Sequence, residues 1–413
     1  MKKIILPLLM IATTALGQSK LRPSIDQKAQ GVESKVIEWR RDFHQHPELG
    51  FQEVKTAALV ADTLREIGGI RIRTQVGKTG VVGDLGTGDG PTIGIRADMD
   101  ALPILEATGL AYGSQTAGTM HACGHDAHTA ILLGVAHLLK QEFASGKLKG
   151  NVRFLFQPAE EVGGDGVSGA PEMIKDGAMQ GIDHVIALHV ASDVPLGQIM
   201  LPRGPITAAS DGFKGWVRAA GGHGAYPHIG GDPVAMTASV IQALNAIVSR
   251  KINPMKPAVC SIGMLQGGAA FNVIPHEILI GGTLRSFDAD VRDQLFEEVE
   301  RAFALATAMG GSYELELKRG YPAGINDATV TQWMDDVASD FLGADVIDRH
   351  TVGMGGEDFA YMQQKAPGSM MMLGAAVGDM SRPHHTPVFD IDERSMPIGA
   401  AILAETVRRY LTK

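Results

Sequence analysis

Cysteine is scarce in this chain. Only Cys123 and Cys260 occur among 413 residues, so a fold stapled by several disulfides is excluded and one bridge is the most that can form. Cys123 lies among histidines, whereas Cys260 lies in an apolar, strand-like run from Ala258 to Leu265. That contrast reads as one ligand and one buried core thiol, not a bridge. Positive charge is short as well. Lysine and arginine number 37 against 46 acidic residues, the formal net charge is −9, and no basic run or stripe occurs. Nucleic acid and anionic membranes are therefore not expected partners. Long apolar runs are missing too. The best candidate, Ile4 to Leu16, falls short of the roughly 20 residues that span a bilayer. Preceded by Lys2 and Lys3 and ending in Ala15-Leu16-Gly17, it has the layout of a secretory signal peptide cleaved before Gln18. No cysteine follows it to carry a lipid. The mature chain is thus expected to be soluble and exported, periplasmic or secreted, with residues 1–17 excluded from the fold. Internal repeats and low-complexity segments are also absent.

What is present points to two domains, since 413 residues exceed what one hydrophobic core usually organises. Glycine is abundant, with fifty-one residues, which suggests tight turns and close backbone approaches. From Val32 to about Met200, strands alternate with helices: a helix over Thr56–Ile67, a strand over Thr92–Ala97, a helix from Asp126 to Phe143, and strands over Val152–Phe156 and His184–Val190. That alternation predicts a doubly wound, mostly parallel sheet covered on both faces. After Pro205 the style changes. Strand Phe213–Ala220, helix Pro233–Lys251, strands Val259–Leu265 and Ile278–Phe287, helix Val291–Met309 and strand Tyr313–Lys318 spell βαββαβ, a ferredoxin-like α+β unit. The first style returns with a helix from Asn326 to Leu342, a strand at Met370–Leu373 and a helix from Met396 to Leu411. The expected organisation is an α/β catalytic domain in two parts, 18–205 and 323–413, with an inserted lid or dimerisation domain over 206–322.

Metal-ligating side chains concentrate in loops after predicted strands, where ligands bind in open α/β sheets. The densest group is Met120-His121-Ala122-Cys123-Gly124-His125-Asp126-Ala127-His128. A thiolate and an imidazole separated by one glycine can close on one metal or on adjacent metals, and Cys, His and carboxylate together favour zinc or a neighbouring transition metal. Alone, the group reads equally well as a helix N-terminus with scattered histidines. Glu160-Glu161 ends the next strand, where an isolated acidic turn is usually solvated. His189 ends a very apolar strand, where a satisfied core histidine is the ordinary explanation. His384-His385 follows Arg382-Pro383 in a further loop. Four loops each supplying Cys, His or Glu at strand ends outweigh those separate explanations.

Taken together, these motifs resemble the M20 family of metallopeptidases and amidohydrolases, in the branch of hippurate hydrolases, auxin-conjugate hydrolases and N-acetyl-diaminopimelate deacetylases. The resemblance spans nearly the whole mature chain. It is carried by Arg41 to Glu48, Arg96 to Pro103, Cys123 to His128, Gln157 to Glu161, Gly221 to His228, Gly356 to Phe359 and His385-Thr386-Pro387. It implies two divalent metal ions, zinc or manganese foremost, cobalt or nickel also suited. Cys123 would bridge them; His125 and His189 would complete one ligand set and Glu161 and His385 the other. Glu160 would be the general base. Asp100, with Asp98 beside it, would orient a ligand imidazole, although a strand-end aspartate capping a turn is the plainer reading. His223, in a glycine-rich turn, would reach a partner subunit's site in a homodimer and stabilise the oxyanion, worth about 3–4 kcal/mol of barrier. Asn272 and Arg285 would hold the substrate, the arginine through a bidentate grip on a carboxylate; a surface salt bridge is the alternative for Arg285.

These roles imply an N-acyl amino acid or short peptide with a free carboxylate as substrate. Two other readings stand beside that one. A dipeptidase or carboxypeptidase would use the same machinery on peptide amides. A non-catalytic binding module would have lost ligands or base, yet Cys123, His125, Glu160, Glu161, His189 and His385 are all present. Met354 and Met370 to Met372 are candidates for an adaptable pocket wall, although methionine at such spacing is commonly core.

Overall fold

The chain is described by a computed structural model over residues 23–162 and 167–412. The expected signal peptide lies outside the described residues. Thr92–Asp98, Asn151–Gln157, His184–Ala191 and Gly368–Gly374 form the parallel centre of an eight-stranded sheet. Two antiparallel strands, Arg71–Val76 and Gly80–Gly86, extend one side, and the short strands Ile199–Met200 and Ile347–Asp348 extend the other. The sheet is thus mostly parallel as expected, with antiparallel pairings between Gly368–Gly374 and Ile199–Met200 and at residues 71–86. The strands there follow each other through a tight turn, which needs no crossover helix.

The central strands are apolar at successive positions because both faces are covered. Ile93, Ile95, Phe154, Phe156, Ile186, Leu188 and Leu373 point into a core shared with helices Pro23–Gln45, Val54–Ile67, His125–Ala144, Ala328–Leu342 and Ser395–Leu411. Leu155, Val185, Ala187 and Met370 point the other way, under the short helices Gly169–Lys175 and Phe359–Gln363. Helix His125–Ala144 is buried almost throughout from His125 to Leu139, so its first turn is fixed in place just where the ligand loop enters.

A second sheet holds Ala258–Gln266, Glu277–Ser286, Ala209–Arg218 and Ser312–Tyr321 in that spatial order, every pairing antiparallel. Helices Pro233–Arg250 and Ala289–Ala308 cover one face and bury Phe213, Val217, Val240, Leu244, Val299 and Phe303 in a core of their own. The first of these helices starts where the sequence dictates. Asp232 accepts hydrogen bonds from the Val234 and Ala235 amides at 2.9 and 3.2 Å, and Pro233 sits in the first turn, where its missing N–H costs nothing. The chain passes between the two sheets twice, through Gly204–Thr207 and Gly324–Asn326, which pair with each other antiparallel. Both cysteines are free. Cys260 is only half-buried at the margin of the second core, because its strand is an edge of the sheet. No helix among the described residues is long and apolar enough to cross a membrane.

Candidate metal centre and active site

Three loops leaving the C-terminal ends of parallel strands, and the end of strand His184–Ala191 itself, converge on one place. Cys123, His125 and His189 bring their donor atoms within 4.8 Å of one another, and Cys123, Glu161 and His385 do the same. The two groups share the thiol. Cys123 Sγ stands 3.5 Å from His189 Nε2, and Glu161 Oε1 lies 3.0 Å from His385 Nε2 and 4.0 Å from His125 Nε2. His125 Nε2 is buried yet has no hydrogen-bond partner among the described residues, an arrangement that is costly for a polar atom unless something is bound there. A thiol, three imidazoles and a carboxylate facing one another fit two transition-metal ions. Burial first, then Glu161 and Glu160, push the Cys123 thiol well above its ordinary range. Metal coordination would therefore have to displace its proton.

Backbone geometry makes the convergence possible. Gly124, between Cys123 and His125, has φ +93°, and a Cβ there would stand 2.4 Å from Val190 Cγ2. Ala159 and His385 also take positive φ, at +49° and +59°, a conformation that costs a residue with a side chain and persists only where surroundings impose it. Those surroundings are visible. Glu53, at the start of the second helix, accepts from the Ala159 amide at 2.8 Å. Asp100 accepts from the Glu160 and Glu161 amides, both at 3.0 Å, and from His125 Nδ1 at 3.2 Å. A single carboxylate thus fixes an imidazole and the turn bearing both glutamates. Asp98 instead binds His128 Nδ1 at 2.6 Å. Burial lowers His128 to about 4, and the neutral ring accepts the Val190 amide at 2.9 Å, next to His189. Asp126 carries the first turn of the same helix, held by Arg40 at 3.1 Å and His44 at 2.8 Å, both buried.

Several contributors escape a reading of sequence alone. Arg96, wholly buried, donates to Gln157, Asp98, Glu357 and Asp358 at 2.7 to 3.0 Å. A lone arginine inside the apolar run Ile93–Ala97 was the available signal. Glu160, Glu357 and Asp358 bring carboxylate oxygens within 4.8 Å of one another. Burial, then Glu357, Glu161 and Asp358, push Glu160 well above the usual carboxylate range, with Arg96 opposing. The Tyr321 hydroxyl, from the last strand of the second sheet, donates to the Glu160 carbonyl. His384, beside His385, is half-buried and accepts the Ser192 amide at 3.2 Å.

The centre opens into a cavity of about 780 Å³ lined by Cys123, Glu160, Glu161, His189, His385 and Arg285. A neighbouring cleft of about 390 Å³ shares Glu160, Glu161, Arg285 and His385 and adds Ser210, Gly212, Lys318 and Gly320. Arg285 is half-buried. It donates to the carbonyls of Asp211 and Leu284 and to the Thr283 hydroxyl, and meets no carboxylate among the described residues. His223 and Asn272 lie elsewhere. Both are exposed on a small ribbon in which His223 pairs with Val273 and the Asn272 carbonyl accepts the Gly224 amide at 2.8 Å. Neither is part of the cavity wall.

Residues 94–409 match the model of peptidase family M20/M25/M40. The chain belongs to that family. It is 42% identical over 385 residues, 92% of this chain and 89% of the relative, to the N-acetyl-L-cysteine deacetylase of Bacillus subtilis. It is 38% identical over 388 residues, 92% of this chain and 97% of the relative, to thermostable carboxypeptidase 1 of Saccharolobus solfataricus. A solved Bacillus subtilis structure, described as a dinuclear metal binding peptidase of the M20 family, superposes with a TM-score of 0.79. It is 35% identical, covering 92% of this chain and 99% of that one. This M20 protein is accordingly a metal-dependent hydrolase acting on amide bonds.

Proposed function

We propose that the protein is an exported, dinuclear amidohydrolase that cleaves N-acyl amino acids carrying a free carboxylate. One observation carries the reading. Two donor groups share Cys123, and Glu160 and Arg285 line the same cavity. The metals would be held by Cys123 with His125 and His189, and by Cys123 with Glu161 and His385. When bound, two divalent cations polarise the scissile carbonyl and acidify water. Glu160 takes the proton of the attacking water and delivers it to the leaving nitrogen, and its crowding by Glu357 and Asp358 helps it to hold that proton between the two events. Arg285, which meets no carboxylate among the described residues, pairs with the substrate carboxylate and sets the register of the amide. Asp100 keeps Glu160, Glu161 and His125 in mutual position. The second sheet serves as lid and dimerisation unit, and a twin subunit's ribbon brings His223 and Asn272 to the cavity, which accounts for their exposure in the single chain.

A carboxypeptidase reading has specific support of its own, since the Saccharolobus solfataricus relative is a carboxypeptidase by name. Both readings share the free carboxylate and part over the group on the other side of the bond. The deciding measurement is hydrolysis of N-acetyl, N-benzoyl and dipeptide substrates with one common C-terminal residue. Metal-loaded wild type is compared with Glu160→Ala. Cleavage of the acyl amino acids, falling by about 10²–10⁴ in the variant while metal content holds, is the expected result. A fully metallated wild type that cleaves none of them sinks the proposal, and one that cleaves only dipeptides moves it to the carboxypeptidase reading.

A further inference from the structure

Helix Pro23–Gln45 carries an arginine that lines neither cavity. Arg40 is wholly buried, and its three nitrogens reach side chains far apart in the sequence. Nε donates to Asp126 Oδ2 and Nη2 to Asp390 Oδ1, both at 3.1 Å. Nη1 donates to the Tyr112 hydroxyl at 3.1 Å and lies 3.1 Å from Glu393 Oε1. Asp126 directly follows His125, in the first turn of helix His125–Ala144. Asp390 follows the turn that His385 opens. In that turn the His385 amide donates to the Ala122 carbonyl at 2.8 Å and the Phe389 amide to the Thr386 carbonyl at 3.1 Å. One guanidinium therefore stands between the neighbour of a ligand in one metal group and the turn that carries a ligand of the other.

Stability alone is a poor reason to bury this cluster, because apolar side chains of similar volume are often at least as stabilising. Geometry is a better one. A guanidinium is planar and rigid, so carboxylates bound to its separate nitrogens are held at a set spacing and orientation. We infer that Arg40 is a positioning residue that fixes the two metal groups relative to each other, by tying the helix turn behind His125 to the loop behind His385. The inference rests on the dinuclear reading of the site. Cys123 is common to both groups, so one thiolate bridges two ions only while Glu161 and His385 stand in register with His125 and His189. His385 holds a φ of +59°, which costs energy and persists only under restraint. Without the Asp390 anchor it is the ligand that relaxes first.

The test counts metal rather than turnover. The full chain, loaded with Mn²⁺, is equilibrated over a series of free Mn²⁺ concentrations. Bound metal is measured, and EPR reports whether the bound ions are spin-coupled as a pair or isolated. Asp390→Ala removes the tie on the His385 side and leaves Arg40 with Asp126 and Glu393. It should weaken one of the two binding steps by about 10- to 100-fold and leave the other within about twofold. At metal concentrations that saturate the wild type, the coupled signal should give way to that of an isolated ion. Arg40→Lys keeps the charge but loses the fork, and should behave as Asp390→Ala does. Full retention of both steps with lysine would reduce Arg40 to charge balance and overturn the inference. Equal weakening of both steps in Asp390→Ala overturns it too, as do two unchanged steps beside a lower melting temperature. A merely structural role loosens the fold without singling out one ion. A wild type that never holds more than one ion, with Mn²⁺ or with Zn²⁺, overturns the dinuclear reading first, and the inference with it.

Discussion

Asp100 is one side chain with three dependants. Its oxygens accept from two backbone amides and an imidazole, and all three donors point at it, so an amide in its place offers one acceptor too few and aims an N–H at another N–H. Asp100→Asn should lower metal affinity and kcat/KM each by roughly 10- to 100-fold with only a small change in melting temperature. Metal titration followed by kinetics at saturating metal checks it; unchanged metal affinity would reduce Asp100 to a turn cap. Gly124 makes a companion case. Gly124→Ala places a Cβ against Val190 at a left-handed φ, and strain of about 1–3 kcal/mol should appear as a lower thermal midpoint. Metal occupancy should fall with it, because the glycine separates two ligands. These residues also mark the limit of what sequence conveys. Cys123, His125, Glu161, His189 and His385 stood out because metal-ligating side chains are conspicuous at strand ends. Arg96 carried a weaker signal. The joining of Asp100 to the Glu160–Glu161 turn is a contact across sixty residues, and no local pattern encodes it.

At the scale of elements, the helices and central strands were legible because their cores impose clear periodicity, as along Thr56–Ile67 and Val152–Phe156. The flanking strands Arg71–Val76 and Gly80–Gly86 were not, since partial exposure leaves the first with a mixed burial pattern and glycines interrupt the second. The final helix offers a stability test. Glu405, on Ser395–Leu411, accepts from Arg408 at 2.7 Å and Arg409 at 2.9 Å and lies 3.4 Å from Lys28 of the first described helix. Burial alone would raise its pKa, but the arginine hydrogen bonds win and bring it to about 2. A carboxylate depressed in the folded state stabilises above its ordinary value and loses that contribution as pH falls through the folded one. Glu405→Gln should therefore cost about 1–2 kcal/mol at pH 7, after allowing for solvent screening, and the gap should close between pH 4.5 and 2. Urea unfolding of both proteins across that range would show it; a constant gap would mean that the helix contact is one of packing rather than charge.

For the whole molecule, the question is whether one chain suffices. His223 and Asn272 stand on an exposed ribbon, while Glu160 is buried at the centre. If a twin supplies the histidine, His223→Ala and Glu160→Ala are each nearly inactive, yet mixing them restores activity. Random exchange of subunits makes half the dimers mixed, each with one intact site, so recovery to about one quarter of the wild-type rate is expected from two-fold symmetry. Mixtures no more active than the separate variants would place the whole reaction within a single chain. The two crossings between the sheets bear on the same question. Gly204–Thr207 and Gly324–Asn326 are zipped side by side, and two strands bonded along their length resist sliding and twisting more than either would alone. Were the smaller sheet to swing as a lid, the pair would act as a door hinge with a double leaf, leaving it one easy axis where two loose linkers would leave it to drift. Ile206 and Thr207 belong both to that hinge and to the wall of the larger cavity. Whatever fills the cavity would then press on the pivot itself, and the size of the occupant would set how far the door could shut.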